Sequence, residues 1–134
     1  MSPASQISRI RQRIAQLAGE RQAAEKVLLQ RPAMLKGSFI EVRRTCGHPG
    51  CKCARGEKHV CRQLSASVEG RTRTWNVPQR YAAKVKRLTQ NYQRFRRARA
   101  AWVQANRQIL ELINELQAAR TVPDFRDASG SQKG

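Results

Sequence analysis

Carboxylates are scarce in this 134-residue chain, and one long stretch has none at all. Nine Asp and Glu face 27 Lys and Arg, for a net charge of +18 and a pI near 11.4. Between Glu69 and Glu111 there is no acidic residue, while the same interval carries eleven Lys and Arg. Nucleases and recombinases need clustered carboxylates or a positioned nucleophile. Nine dispersed acids do not offer that, so a non-enzymatic protein is expected. Long apolar runs are also missing. No 18-residue hydrophobic segment occurs, which excludes a membrane-spanning helix. Residues 1–5 carry no signal-peptide core, so a cytoplasmic, nucleoid-associated protein is expected. With two Trp, two Tyr and three Phe, the basic stretches lack the wide aromatic face of an interfacial helix. No membrane partner is expected.

What is present is positive charge. It cannot drive folding, since like charges repel, but it attracts polyanions, and each neutralised phosphate releases a counterion. Nucleic acid is the expected partner, with DNA favoured over RNA. A solvated helix face usually mixes signs to gain i,i+4 pairs. The acid-free interval therefore reads as a surface for an external anion. Its candidate contacts are Arg80, Lys84, Arg87, Arg94 and Arg97, extended by Arg71 and Arg73, and by Lys52 and Arg55 in a Cys/His loop.

The chain divides by pattern. Residues 3–31 read as a helix, opened by Pro3 and stopped by Pro32. Ile7, Ile14 and Leu28 take heptad positions a, and Ile10, Leu17 and Ala24 positions d, with Arg21 interrupting the a series. Residues 34–77 lose helical periodicity and gain glycines and β-branched residues. A strand is expected over 37–44. A hairpin is expected over 62–68 and 71–77, turning at Glu69-Gly70 and pairing Val68 with Arg71, Ala66 with Arg73, and Leu64 with Trp75. Residues 78–118 read as one helix roughly 60 Å long. Its a positions are Val85, Tyr92, Arg99, Asn106 and Ile113; its d positions are Leu88, Phe95, Trp102, Ile109 and Leu116. That spacing places Tyr92, Phe95 and Trp102 in a core rather than against bases. Asn106 should pair across the seam, and a buried Asn at a often fixes register or oligomeric state. Residues 119–134 are expected to be disordered.

The fold expected is α+β: two long coiled-coil-type helices flanking a small, zinc-stapled, three-stranded β-insert. The helices could pair with each other as a hairpin, or with a second copy as a homodimer.

Four cysteines and two histidines crowd into residues 46–61, in a C-x4-C-x-C-x5-H-x-C arrangement with glycines at the turns. In a reducing compartment such a cluster reads as a metal site rather than as disulfides. Zinc takes four tetrahedral N or S ligands. Cys46, Cys51 and Cys53 supply three, and His59 and Cys61 compete for the fourth place. Lys52, Arg55 and Lys58 favour the thiolate form. Four protein ligands close the site, so the one expected zinc is structural.

These residues carry a resemblance. Leu35-Lys36-Gly37-Ser38, then Cys46-Gly47-x-Pro49-x-Cys51-x-Cys53-Ala54-x-Gly56-x-x-His59, Gly70-Arg71-Thr72, Val77-Pro78 and Asn91-Tyr92-x-x-Phe95-Arg96 resemble a family of small, basic bacterial and archaeal proteins of no settled activity. The genes of that family often lie near mobile elements. The likeness spans about residues 35–115. In the family the histidine precedes Gly-Pro and aromatic residues, whereas Val60-Cys61-Arg62 stands here. The resemblance thus favours His59 as the fourth ligand and leaves Cys61 an extra thiol. It implies a zinc module and a role in transposition or recombination, with a recombinase or transposase as partner. The function expected is an accessory or regulatory factor on DNA, or on an RNA–DNA assembly of a mobile element. The alternatives are a factor binding structured RNA, or a coiled-coil adaptor of a partner enzyme.

Overall fold

A computed structural model describes residues 2–44, 50 and 59–130. The described elements run in the order α1 (Pro3–Leu28), β1 (Ser38–Arg44), β2 (His59–Val68), β3 (Arg71–Asn76) and α2 (Gln79–Arg120), followed by a 3-10 helix at Phe125–Gly130. The fold is α+β. It falls into two compact units: Met1–Gln30 with Arg97–Gly134, and Arg31–Arg96.

The first unit pairs α1 with the C-terminal half of α2. Ser2 caps α1 by accepting the Ser5 N–H at 3.2 Å, and Pro3 occupies the first turn, where no N–H is needed. The helix ends at Leu28 rather than 31. Pro32 disfavours helical backbone at the residue before it, and the Leu29 and Gln30 N–H groups close the last turn on Glu25 and Val27. Ile10, Leu17 and Ala24 are buried, so the d positions of α1 form its core stripe, with Ile7, Ile14, Arg21 and Leu28 half-buried beside them. On the C-terminal half of α2 the buried residues are Ala98, Ala105 and Ile109, while Trp102, Leu112, Leu116 and Ala119 are half-buried. This stripe keeps the expected d positions but replaces a with the neighbouring g position, and Arg99 and Ile113 face solvent. The displacement has a plain cause. Two of the a residues here, Arg99 and Asn106, are polar, whereas Ala98 and Ala105 bring an apolar surface with no bulk. Arg21 of α1 meets Asn106, and Glu25 meets Trp102. Rising numbers on one helix meet falling numbers on the other, so the two run antiparallel.

The second unit holds an antiparallel sheet in the order β1-β2-β3 and the first half of α2. The β2–β3 register pairs Val68 with Arg71, Ala66 with Arg73 and Leu64 with Trp75. Glu69 (φ 51°) and Gly70 (φ 78°) both take positive φ in the two-residue turn, whose twist matches that of the strands. β1 pairs Phe39 with Leu64, Val42 with Cys61 and Arg44 with His59. Strand alternation then puts Phe39, Leu64 and Trp75 in one row on one face. The segment before β1 is tied to α2. The Leu35 N–H donates to the Leu88 carbonyl at 3.0 Å, Asn91 Nδ2 to the Ala33 carbonyl at 3.0 Å, and Gln93 Nε2 to the Gly37 carbonyl at 3.1 Å. Gly37 has no substitute there. Its φ is +137°, and a Cβ would lie 2.7 Å from the Ser65 carbonyl oxygen and 2.9 Å from Leu64 Cδ1. Thr89, buried in α2, donates to the Val85 and Lys86 carbonyls and leaves no polar atom unpaired.

Part of the tail expected to be disordered is the 3-10 helix at Phe125–Gly130. Asp124 nucleates it: one carboxylate oxygen accepts the Arg126 N–H at 3.0 Å, and the guanidinium of Arg126 forks onto both oxygens. That fork lowers the Asp124 pKa and raises that of Arg126. A composition rule cannot register such a local charge-assisted turn.

Candidate nucleic-acid interface

The cations picked out by the sequence fall on three supports. Arg80, Lys84, Arg87 and Arg94 project from α2 within the second unit, and all four are exposed. At 100° per residue their spacing confines them to about a quarter of the helix circumference. They form a stripe, not a scatter. Arg97, at the start of the other unit, is exposed as well. Arg71 and Arg73, both exposed on β3, share a sheet face with Trp75 because they alternate with it. The register adds Arg43 and Arg62 to that face, with Glu41 opposite Arg62 as its one acid. Lys52 and Arg55 lie outside the described residues.

The hydrogen bonds from the 33–37 segment hold the sheet to the first half of α2. At the strand-to-helix joint the Val77 N–H extends the β2–β3 pairing by donating to the Arg62 carbonyl at 2.8 Å, and the Tyr81 N–H closes the start of α2 on the Pro78 carbonyl at 2.9 Å. Arg71 and Arg73 therefore stand on a frame anchored to the helix that carries the stripe. No described carboxylate pairs with any stripe residue, so nothing among the described residues neutralises the stripe's charge.

Cys46, Cys51 and Cys53 lie outside the described residues. The two competitors for the fourth ligand place are described. β2 begins at His59, three residues earlier than the expected strand, and so takes in both His59 and Cys61. Being two apart on one strand, they share a face. Cys61 is half-buried, and His59 is the first residue of the strand. Their cross-strand partners, Val42 and Arg44, end β1. The Arg44–His59 pair therefore closes the base of the loop 45–58, bringing its two ends to neighbouring strands about 5 Å apart. A loop pinned this way, holding three thiols and ending on a His and a further thiol, has the donor set zinc prefers. Among the described residues alone, no three His, Cys, Asp or Glu side chains gather into a metal site.

A family model described as a domain of unknown function, DUF6788, matches residues 5–87, which is more than half of the chain. The chain belongs to the DUF6788 family. No curated protein and no solved structure matches it at a significant level. The matched region takes in most of α1, the whole sheet and the first turns of α2. In this DUF6788 protein the stripe begins inside the matched region, at Arg80, Lys84 and Arg87, and continues beyond it. Among the described residues, no helix is long and apolar enough to cross a membrane.

Two exposed aromatic residues escaped the sequence reading. The hairpin register sets Trp75 opposite Leu64, yet 42 % of its surface is open. Tyr81, at the start of α2, is 47 % open, and the Arg80 guanidinium lies 4.9 Å from its ring centroid. The available signal was their position within the acid-free, Arg-rich interval.

Proposed function

We propose that this protein is a non-enzymatic nucleic-acid-binding factor, acting as an accessory or regulator on DNA or on an RNA–DNA assembly of a mobile element. The observation that carries this reading is the exposed stripe Arg80, Lys84, Arg87 and Arg94 in a stretch without one carboxylate. A row of like charges destabilises the free protein, and a phosphate backbone relieves it. Such contacts set orientation without reading sequence. A recombinase or transposase acting on the same DNA would be the partner enzyme.

In the same proposal, one zinc is held by Cys46, Cys51 and Cys53 with His59 as the fourth ligand and Cys61 as its competitor. The ion would fix the loop over the end of the β1–β2 pair, with Lys52 and Arg55 on it as a phosphate contact separate from Arg71 and Arg73. Its role there is structural. The helix pair of the first unit would be a coiled coil.

A second reading, an adaptor that uses the helices on a partner protein or a second copy, is favoured by one observation. Leu110 and Ile113 are 58 % and 46 % exposed on α2, beside the buried stripe.

Salt-dependent binding of the full chain to duplex DNA, single-stranded DNA and structured RNA separates these readings. Arg87→Ala, Arg94→Ala and Arg97→Ala combined should weaken binding equally on all sequences. The slope of log K against log salt should become shallower by roughly 0.9 per lost contact on duplex DNA. Unchanged affinity and slope would make the helix a scaffold, and weak, unselective binding throughout would favour the adaptor.

A further inference from the structure

Trp75 and Tyr81 are large aromatic side chains left substantially open, six positions apart, where β3 passes into α2. Trp75 is held by its register with Leu64 on the outermost strand. Tyr81 is held by the first turn of α2, which the Pro78 carbonyl closes. Both lie in one compact unit. Their surroundings are cationic: Arg71 and Arg73 stand on the face of Trp75, Arg80 lies over the Tyr81 ring, and Lys84 follows one turn along α2. Resting on the nucleic-acid reading above, we infer that this joint is a stacking platform for an unpaired stretch of nucleic acid.

The chemistry selects unpaired nucleotides. In a duplex the base planes are buried in the stack and only their edges reach the grooves. The major groove admits a helix or a two-stranded ribbon; a three-stranded sheet bearing Trp75 on its outer strand is broader than that ribbon. An unpaired strand has no such barrier. Its bases can lie on Trp75 and Tyr81 while its phosphates meet Arg71, Arg73 and Lys84, a combination of aromatic platforms and flanking cations that binds single strands with little sequence preference. The helix stripe needs only phosphates, so the protein would hold duplex and unpaired segments by different residues. That suits a junction, a bubble or an R-loop, where both occur together.

The chain has two tryptophans, and Trp102 sits in the helix pair with its indole N–H on Glu25. In the Trp102→Phe protein, Trp75 is therefore the sole tryptophan and reports on its own contacts. This protein is titrated with an oligothymidine, an oligouridine of the same length and a blunt duplex, following tryptophan emission and affinity. The expected result is strong quenching by the unpaired oligomers and little by the duplex. Oligothymidine and oligouridine differ in the sugar and in the C5 methyl, and equal quenching by the two supports stacking on the shared pyrimidine ring. Trp75→Phe should keep single-strand affinity, and Trp75→Leu, which fills the same sheet position without a π-face, should lose about tenfold. Tyr81→Leu should lose a similar factor, and neither change should alter duplex binding. Full single-strand affinity in Trp75→Leu and Tyr81→Leu overturns the inference, as does equal quenching by the duplex. If duplex binding then still depends on Arg87, Arg94 and Arg97, the wider reading survives alone; if no nucleic acid binds in a salt-sensitive way, both fail.

Discussion

Arg21 on α1 donates from its guanidinium to the side-chain oxygen of Asn106 on α2 at 2.8 Å, and its charged end also lies 6.0 Å from the ring centroid of Trp102. One turn along α1, Glu25 accepts the Trp102 indole N–H at 2.9 Å. Two i,i+4 pairs on facing helices thus interlock. Arg21 was the residue that interrupted the apolar heptad of α1, and Asn106 the polar residue in that of α2. Each is the other's partner, within one chain. A misaligned hairpin would leave a half-buried amide and a guanidinium unpaired, so the pair specifies alignment more than it adds stability.

This makes a double-mutant cycle informative. Asn106→Leu and Arg21→Leu should each destabilise by about 1–3 kcal/mol, since each strands a polar group. The double variant should recover much of that loss and show a coupling of about 0.5–3 kcal/mol in denaturant unfolding. Additive losses would mean the contact carries no alignment energy.

Gly37 offers a sharper test of the clamp between β1 and α2. Gly37→Ala places a methyl against the Ser65 carbonyl and Leu64, at a φ that L-residues rarely adopt. A loss of about 1–3 kcal/mol from backbone strain alone is expected, with the overlap adding to it. The shift should appear in the amide signals of residues 33–37 and of Leu88, Asn91 and Gln93. A variant as stable as the parent would show that this backbone can relax at little cost.

Glu69 occupies a left-handed backbone position in the β2–β3 turn, which suits Asn or Gly better than Glu. Glu69→Asn should raise stability by up to about 1 kcal/mol. Chemical denaturation with an unchanged m-value would register this as a higher midpoint, and a lower one would show that the Glu69 carboxylate makes a compensating contact.

Zinc binding can be checked apart from nucleic acid. Protein purified without chelator should carry close to one zinc per chain, and chelation should loosen the β1–β2 end of the sheet. His59→Ala should lose the metal and Cys61→Ala keep it. The opposite outcome makes Cys61 the fourth ligand, a place its position on the same strand face allows. Full metal content in both variants removes the site from this strand.

The β2–β3 register, both helices and the α+β class were legible in the sequence, because each depends on local rules: side chains alternate in strands, prolines punctuate helices, and a Glu-Gly pair turns a hairpin. The charge stripe was legible for the same reason, since helical spacing alone aligns Arg80, Lys84, Arg87 and Arg94. Three features were decided only by the tertiary structure. The core stripe of α2 moved from Arg99 and Ile113 to Ala98 and Ala105, because which face is buried depends on the partner helix and not on the heptad alone. His59 and Cys61 came onto one strand face because pairing with Val42 and Arg44 extended β2 beyond its apolar run. Trp75 and Tyr81 stayed open because burial is a property of the whole packed unit, while an aromatic residue in a sequence states only that it could be buried.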